Sequence, residues 1–89
     1  MALTVWEREP EVLWRGSGSR RVLNVADATD PCIVEGTGAL IWDLLADVHE
    51  EAELVTTLAG AFDVDAAIVR DQVRQFLGEL CAIGAVRPR

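Results

Sequence analysis

The sequence predicts an α+β fold, a winged-helix-like arrangement in which a three-stranded antiparallel sheet is followed by three helices. Residues 11–35 contain three short β-prone runs that are separated by glycine-rich or polar turns. Residues 38–83 instead repeat apolar side chains at helical spacing. The length of 89 residues suits one domain with one modest core, so we expect a single domain of residues 1–89, with 1–10 and 87–89 peripheral.

The predicted strands are Glu11–Gly16, Arg20–Val25 and Cys32–Glu35. The first two are joined by a Gly/Ser turn at residues 16–19, which is typical of an antiparallel hairpin. Pro31 suits the start of the third strand, because proline cannot donate a ladder hydrogen bond. Thr4–Glu7 is a candidate for a short additional strand on the outside of this sheet.

The predicted helices are Gly38–Ala46, Glu50–Phe62 and Ala66–Ile83. We expect Thr37 to cap the first helix, because its hydroxyl can accept a hydrogen bond from a free backbone N–H. Acidic residues crowd the first turn of the second helix, where the helix dipole favours negative charge. Asp65 is expected to cap the third helix and Gly84 to end it.

No group of residues in the sequence resembles a catalytic or metal centre. The single imidazole, His49, adjoins Glu50 and Glu51 at the start of the second helix, where we expect it to be exposed. No local motif joins it to Cys32 or Cys81, which we expect to be free, buried thiols. We therefore expect a protein that is not an enzyme and that has no cofactor and no metal.

The charge of the chain argues against nucleic acid and membrane partners. The net charge is −7 and all eight basic residues are arginines, so phosphate backbones and anionic lipid surfaces are repelled. No apolar stretch approaches the roughly 20 residues of a membrane span, and the N-terminus does not resemble a signal peptide. We expect a cytoplasmic protein. A winged-helix DNA-binding protein is a weak alternative that rests on Arg70, Gln72, Arg74 and Gln75.

A binding module fits the sequence better than an enzyme does. If Cys32–Glu35 lies at the edge of the sheet, an extended peptide can pair with it and rest against the third helix, as in β-augmentation. If the N–H of Val34 faces that peptide, Val34→Pro should weaken binding. The alternative is an acidic interaction module with another partner, including a second copy. We expect a monomer or a weak dimer.

Two stretches, CIVEGTGALIWDLLAD and EAELVTTLAGAFDVDAAIVRDQVRQFLGELCAIGAV, together resemble the PqqD-like family, the RiPP recognition elements. The resemblance covers about residues 12–86. It rests on the order and spacing of glycines and core hydrophobic residues rather than on any single motif. The positions that carry it are Thr37, Gly38, Ile41, Trp42, Leu44, Leu45, Leu54, Leu58, Val73, Phe76, Leu77, Leu80, Gly84 and Val86.

The resemblance implies a non-catalytic peptide chaperone. Such a protein binds the leader of a ribosomally made precursor peptide by strand addition and presents it to a separate tailoring enzyme or leader protease. The leader-binding residues implied here are Cys32, Ile33, Val34 and Glu35 on the strand and Val69, Gln72, Val73 and Phe76 on the third helix. The turn ATDPC differs from the proline–glutamate–glycine turn of the quinone-cofactor branch, so we expect a lasso-peptide or other RiPP pathway.

Overall fold

The structure, a computed structural model, describes residues 4–89. Residues 1–3 of the expected peripheral segment lie outside the described residues. In chain order the elements are β1 (Val5–Arg8), β2 (Leu13–Ser17), β3 (Arg20–Asn24), β4 (Cys32–Glu35), α1 (Thr37–Leu44), β5 (His49–Glu50), α2 (Glu51–Phe62), α3 (Ala66–Ala82) and β6 (Val86–Pro88).

The predicted α+β fold is confirmed, with the antiparallel sheet β2-β3-β4 ahead of the three helices. The β2–β3 hairpin turns at Gly18 and Ser19, and Gly18 adopts the positive φ of 58° that a tight turn needs. In the β3–β4 ladder, Arg21 lies opposite Val34 and Leu23 lies opposite Cys32. This order leaves β4 at one edge of the sheet, with β3 as its only neighbour in it.

A second three-stranded sheet, β5-β1-β6, was not predicted. The candidate strand near the N-terminus forms, at Val5–Arg8, but it belongs to this second sheet rather than to the outside of β2-β3-β4. Trp6 in β1 instead lies opposite His49 on one side and Pro88 on the other. His49 is therefore half-buried in a strand, rather than exposed at the start of a helix.

The first helix begins differently from the prediction. Its N-cap is Gly36, with φ 58° and ψ −123°, and not Thr37, which is the first helical residue. The Gly36 N–H donates to the Ser19 carbonyl at 3.0 Å, and the Gly36 carbonyl accepts from the Leu40 N–H at 3.1 Å. The chain therefore passes from the β-ladder into α1 at one residue, and glycine tolerates the positive φ that this change of direction requires.

The two residues predicted to mark the ends of the third helix are confirmed, whereas the first helix ends at Leu44 and not at the predicted Ala46. Asp65 caps α3, where its carboxylate accepts from the Ala67 N–H at 2.8 Å. Glu50 and Glu53 form a capping box at the start of α2. Gly84, with φ 84°, ends α3 in a Schellman motif, in which the Ala85 N–H donates to the Leu80 carbonyl at 2.9 Å.

The core lies between the inner face of β2-β3-β4 and the three helices. Trp42 of α1 is fully buried at its centre and meets Trp14 edge-on, with 6.2 Å between the ring centroids. The largest side chains buried with Trp42 are Leu23, Leu45, Leu54, Leu58, Leu77, Val73 and Val86. No helix within residues 4–89 has both the length and the apolar character needed to cross a membrane.

Candidate functional site

An apolar groove of about 490 Å³ opens beside α3. One wall is the N-terminal half of α3, and the other is built from the start of α1 and the end of α2. The residues that line it are Thr37, Gly38, Ile41, Leu58, Phe62, Val64, Val69, Gln72, Val73 and Phe76. A groove lined mainly by hydrophobic side chains, with a few polar groups, is typical of a site for an apolar ligand side chain.

All of the predicted site residues on the third helix line this groove. Val69 and Val73 are 5% and 1% exposed, so they form its floor. Phe76 is half-buried, and Gln72 is exposed and brings an amide to the rim. The spacing of three and four residues between these positions places them on one face of α3.

Phe76 brings the groove to the edge strand. A Cβ placed on Gly38 would lie 2.9 Å from the Phe76 ring and 3.6 Å from the Val34 Cβ. The start of α1, the middle of α3 and the centre of β4 therefore meet at this point. Gly38 allows the close approach because it has no side chain to occupy the space that the ring fills.

The predicted strand residues divide between two faces of the sheet. Val34 is buried and Cys32 half-buried on the core side, whereas Ile33 is 53% exposed on the opposite side together with Glu35. None of the four side chains lines the groove. What β4 offers is its unpaired backbone edge, and it comes close to the groove where Val34 and Phe76 both approach Gly38.

The ladder determines which backbone groups of β4 are free. The Gly36 N–H donates to the carbonyl of Ser19, the residue just before β3, so Gly36 and Ser19 continue the β3–β4 register, and in an antiparallel ladder the bonded residues alternate. Cys32 and Val34 therefore also bond to β3, whereas the N–H and C=O groups of Ile33 and Glu35 point to the open edge. The Val34→Pro test required the N–H of Val34 to face the bound peptide. That requirement is not met, because the Val34 N–H belongs to the β3–β4 ladder.

Neither Cys32 nor His49 lines the groove. Burial raises the pKa of the Cys32 thiol, and the negative charge of Glu79 raises it further. Cys32 therefore stays protonated at neutral pH and is a poor nucleophile. His49 lies in the other sheet. Within residues 4–89, no three His, Cys, Asp or Glu side chains are grouped closely enough to hold a metal ion.

Sequence reasoning missed the wall of the groove formed by α1 and α2. Phe62 continues the apolar stripe of the second helix, yet it is 51% exposed and lines the groove together with Val64. Asp63 separates the two and adopts a left-handed conformation, with φ 53°, that ends α2. The sequence does contain a signal for this exposed apolar rim. Apolar residues, Phe62 and Val64, stand on both sides of Asp63, the polar residue that ends the helix.

Comparisons with known proteins agree with this architecture. The model of the family coenzyme PQQ synthesis protein D (PqqD) matches residues 33–86, which is more than half of the chain. No curated protein sequence matches the chain.

Two solved structures have a similar fold. One is TbiB1 in complex with the TbiA(beta) leader peptide, with a TM-score of 0.81, 20% identity, and coverage of 91% of this chain and 94% of that one. The other is the solution NMR structure of the PqqD truncation of Methylobacterium extorquens PqqCD, described as a stand-alone RiPP recognition element. Its TM-score is 0.76 at 15% identity, with coverage of 93% of this chain and 88% of that one.

Proposed function

This chain belongs to the family of coenzyme PQQ synthesis protein D, and from that premise we propose that it is a non-catalytic peptide chaperone. It binds the leader of a ribosomally synthesised precursor peptide as an added strand. It presents the bound precursor to a separate tailoring enzyme or leader protease. It acts as a monomer or weak dimer in the cytoplasm, without nucleic acid or membrane partners.

The observation that carries the proposal is the open edge of β4 beside the apolar groove. An unpaired strand edge is a template for another strand. The free N–H and C=O groups of Ile33 and Glu35 can each bond to a leader backbone, and each such bond contributes about 0.5 to 1.5 kcal/mol. Because these bonds involve only backbone atoms, they give affinity that does not depend on leader sequence.

Specificity then comes from the groove. A leader strand beside β4 turns alternate side chains towards α3. One large apolar side chain of the leader enters the groove above Val69 and Val73, against the Phe76 ring. Gln72 offers a neutral amide at the rim, which can both donate and accept hydrogen bonds with the leader. Cys32 and Val34 hold the strand against the core from its inner side.

The pathway we propose is a lasso-peptide or other RiPP pathway rather than quinone biosynthesis. The described complex of the similar TbiB1 with a leader peptide supports leader binding as the shared activity. The absence of a proline–glutamate–glycine turn at residues 28–32 supports a pathway other than the quinone one. The fold and the groove are equally compatible with several modification chemistries, because those belong to the partner enzyme.

The first experiment is a fluorescence-polarisation titration with labelled leader peptides from precursor genes beside this one. We expect saturable binding of one leader. A series of that leader with single N-methylated backbone amides should lose affinity at every second residue across the paired segment, because alternate amides face β4. Equal effects at consecutive positions would exclude strand addition. A dimer by light scattering that no leader perturbs would favour a self-associating module.

A pair of variants at one residue tests the same edge from the protein side. Glu35→Pro removes an N–H that points to the open edge, so leader affinity should fall about tenfold, as expected for one lost hydrogen bond in a paired ladder. Glu35→Ala also removes the Arg20–Glu35 ion pair, of 2.9 Å, but keeps the N–H, and should bind as the wild type does. Equal affinity of the two folded variants would contradict pairing at Glu35.

A further inference from the structure

The β2-β3-β4 sheet has a second face, directed away from the helices, that the leader-binding groove does not use. Leu13 and Ile33 on this face are 73% and 53% exposed, whereas Leu23 and Val34, on the inner face, are buried. We call this surface the outer sheet face. Its apolar and charged residues are Leu13, Arg15, Arg20, Val22, Ile33 and Glu35.

The apolar residues of the outer sheet face are neighbours and not scattered. Arg15 lies opposite Val22, and Val22 lies opposite Ile33, so these three form one row across the strands. Leu13 lies two residues before Arg15 on the same side of β2. A contiguous apolar patch with a charged rim is typical of a protein interaction site, whereas single exposed hydrophobic residues are not.

The charge of this face differs from that of the whole protein. Arg20 pairs with Glu35 at 2.9 Å, and Arg15 makes no ion pair within residues 4–89. The outer sheet face therefore has a net positive charge on a chain of net charge −7. Its complement is an apolar patch flanked by carboxylates. A second copy of the same face would bring like-charged arginines together and fits less well.

The outer sheet face is also continuous with the proposed leader strand. A leader paired with β4 becomes the fourth strand of the sheet, and its side chains that do not face α3 lie level with Ile33 and Glu35. A protein that covers this face therefore contacts the chaperone and the leader together.

We infer that the outer sheet face docks the enzyme that modifies or cleaves the precursor, through an acid-rimmed apolar patch on that enzyme. The inference rests on the proposed leader-binding function. Because the surface is complete only when the leader is bound, the enzyme binds the leader complex more tightly than the free chaperone. By linkage, the enzyme raises the affinity for the leader by the same factor.

The test uses Leu13→Asp and Arg15→Glu, since both positions are on β2, two strands away from the leader edge. Val48→Asp is the matched control, because Val48 is 41% exposed in the segment between α1 and β5, outside the outer sheet face. The probes are the labelled leader and the purified maturation enzyme encoded beside this chain. We expect both β2 variants to keep the wild-type leader affinity and to weaken enzyme binding to the leader complex by about tenfold or more.

The other outcomes separate this inference from the proposed function. Undiminished enzyme binding by folded Leu13→Asp and Arg15→Glu would overturn the inference, as would equal enzyme affinity with and without leader. A wild-type dimer that Leu13→Asp abolishes would overturn it too, by identifying a second copy as the occupant. Failure of the wild type to bind any leader would instead remove the proposed function on which the inference rests.

Discussion

At the scale of single residues, Gly38 connects the stability of the fold to the shape of the groove. A methyl group at this position would lie 2.9 Å from the end of the Phe76 ring, so the ring has to move. Because Phe76 is only half-buried and borders the groove, it can swing into that space. We expect Gly38→Ala to lower leader affinity while changing the free energy of unfolding by less than about 1 kcal/mol.

The Phe76→Ala background provides the control for this prediction. Without the ring, the nearest atom to the added methyl group is the Val34 Cβ at 3.6 Å, an ordinary contact. Gly38→Ala should then have no further effect on leader binding, and it should gain up to about 1 kcal/mol of stability from the better helix propensity of alanine. The wild type, the two single variants and the double variant are compared. Fluorescence polarisation measures their leader affinity, and urea unfolding measures their free energy of unfolding. Additive effects on leader affinity would contradict a role for Gly38 through Phe76.

The ion pair between Arg21 and Asp43 makes stability depend on pH. The guanidinium donates to both carboxylate oxygens, at 2.9 and 2.8 Å, and joins β3 to α1. These hydrogen bonds hold the pKa of Asp43 below its ordinary value. A lowered pKa means that the stabilisation is present above the unfolded-state pKa of about 3.9 and is lost as the pH falls further towards the folded-state value.

We therefore expect the advantage of the wild type over Asp43→Asn to be constant above about pH 5 and to shrink as the pH falls from there towards about pH 3. Urea unfolding at several pH values gives this difference in free energy directly. When Arg21→Gln is also present, the effect of Asp43→Asn on the free energy of unfolding should be smaller and much less dependent on pH. The reason is that the Arg21 guanidinium, the main hydrogen-bond donor to Asp43, is gone. A constant difference across the range in the wild-type background would show that Asp43 acts through packing alone.

At the scale of elements, the end of α3 depends on one glycine. Gly84 has φ 84°, a conformation that costs a residue with a Cβ roughly 1 to 2 kcal/mol. Gly84→Ala should lower the free energy of unfolding by about that amount. Gly78→Ala is the matched control, because Gly78 lies inside α3 with nothing within 4 Å of an added Cβ. Gly78→Ala should stabilise the protein by about 0.5 to 1 kcal/mol. Thermal unfolding should therefore show a lower melting temperature for Gly84→Ala and a higher one for Gly78→Ala.

The elements that could be predicted from the sequence are those specified by local signals. Cys32–Glu35 was predicted to the residue because a proline, an apolar run and a glycine follow one another. Asp65 and Gly84 similarly marked the ends of α3. At the start of α1, Gly36 takes the capping position that was assigned to Thr37, because the strand-to-helix turn requires a positive φ there. That requirement arises from the β3–β4 ladder and is not evident in the local pattern.

The remaining elements depend on contacts that no local pattern encodes. The strands β5 and β6 have two and three residues, too few for an alternation to be visible. Their pairing with β1 joins Trp6 to Pro88, at opposite ends of the chain. For the groove, helical spacing predicted the face of α3 that contains Val69 and Val73. The opposite wall depends on how α1 and α2 are oriented, which follows from packing of the whole core.

At the scale of the whole molecule, Arg8 connects the two sheets through α1. It lies in β1, and its guanidinium donates to the Trp42 carbonyl from Nε at 3.1 Å and from Nη2 at 2.6 Å. It also lies over the rings of Trp42 and Trp14, at 4.4 and 5.0 Å from their centroids. The carbonyl belongs to the last turn of α1, where a helix has no backbone donors left and favours a cation.

We expect this contact to couple the unfolding of β1, which lies outside the main sheet, to that of α1 and β2-β3-β4. Arg8→Ala should lower the free energy of unfolding by about 1.5 to 3 kcal/mol, the range for hydrogen bonds from charged donors. Arg8→Lys keeps the positive charge but not the planar guanidinium that donates two hydrogen bonds, so the free energy of unfolding should fall by an intermediate amount. Leader affinity of the folded variants should be unchanged, because Arg8 borders the cleft on the hairpin side and not the groove. Unfolding of Arg8→Ala in two separate transitions would show that this contact couples the sheets, whereas wild-type stability would exclude that role.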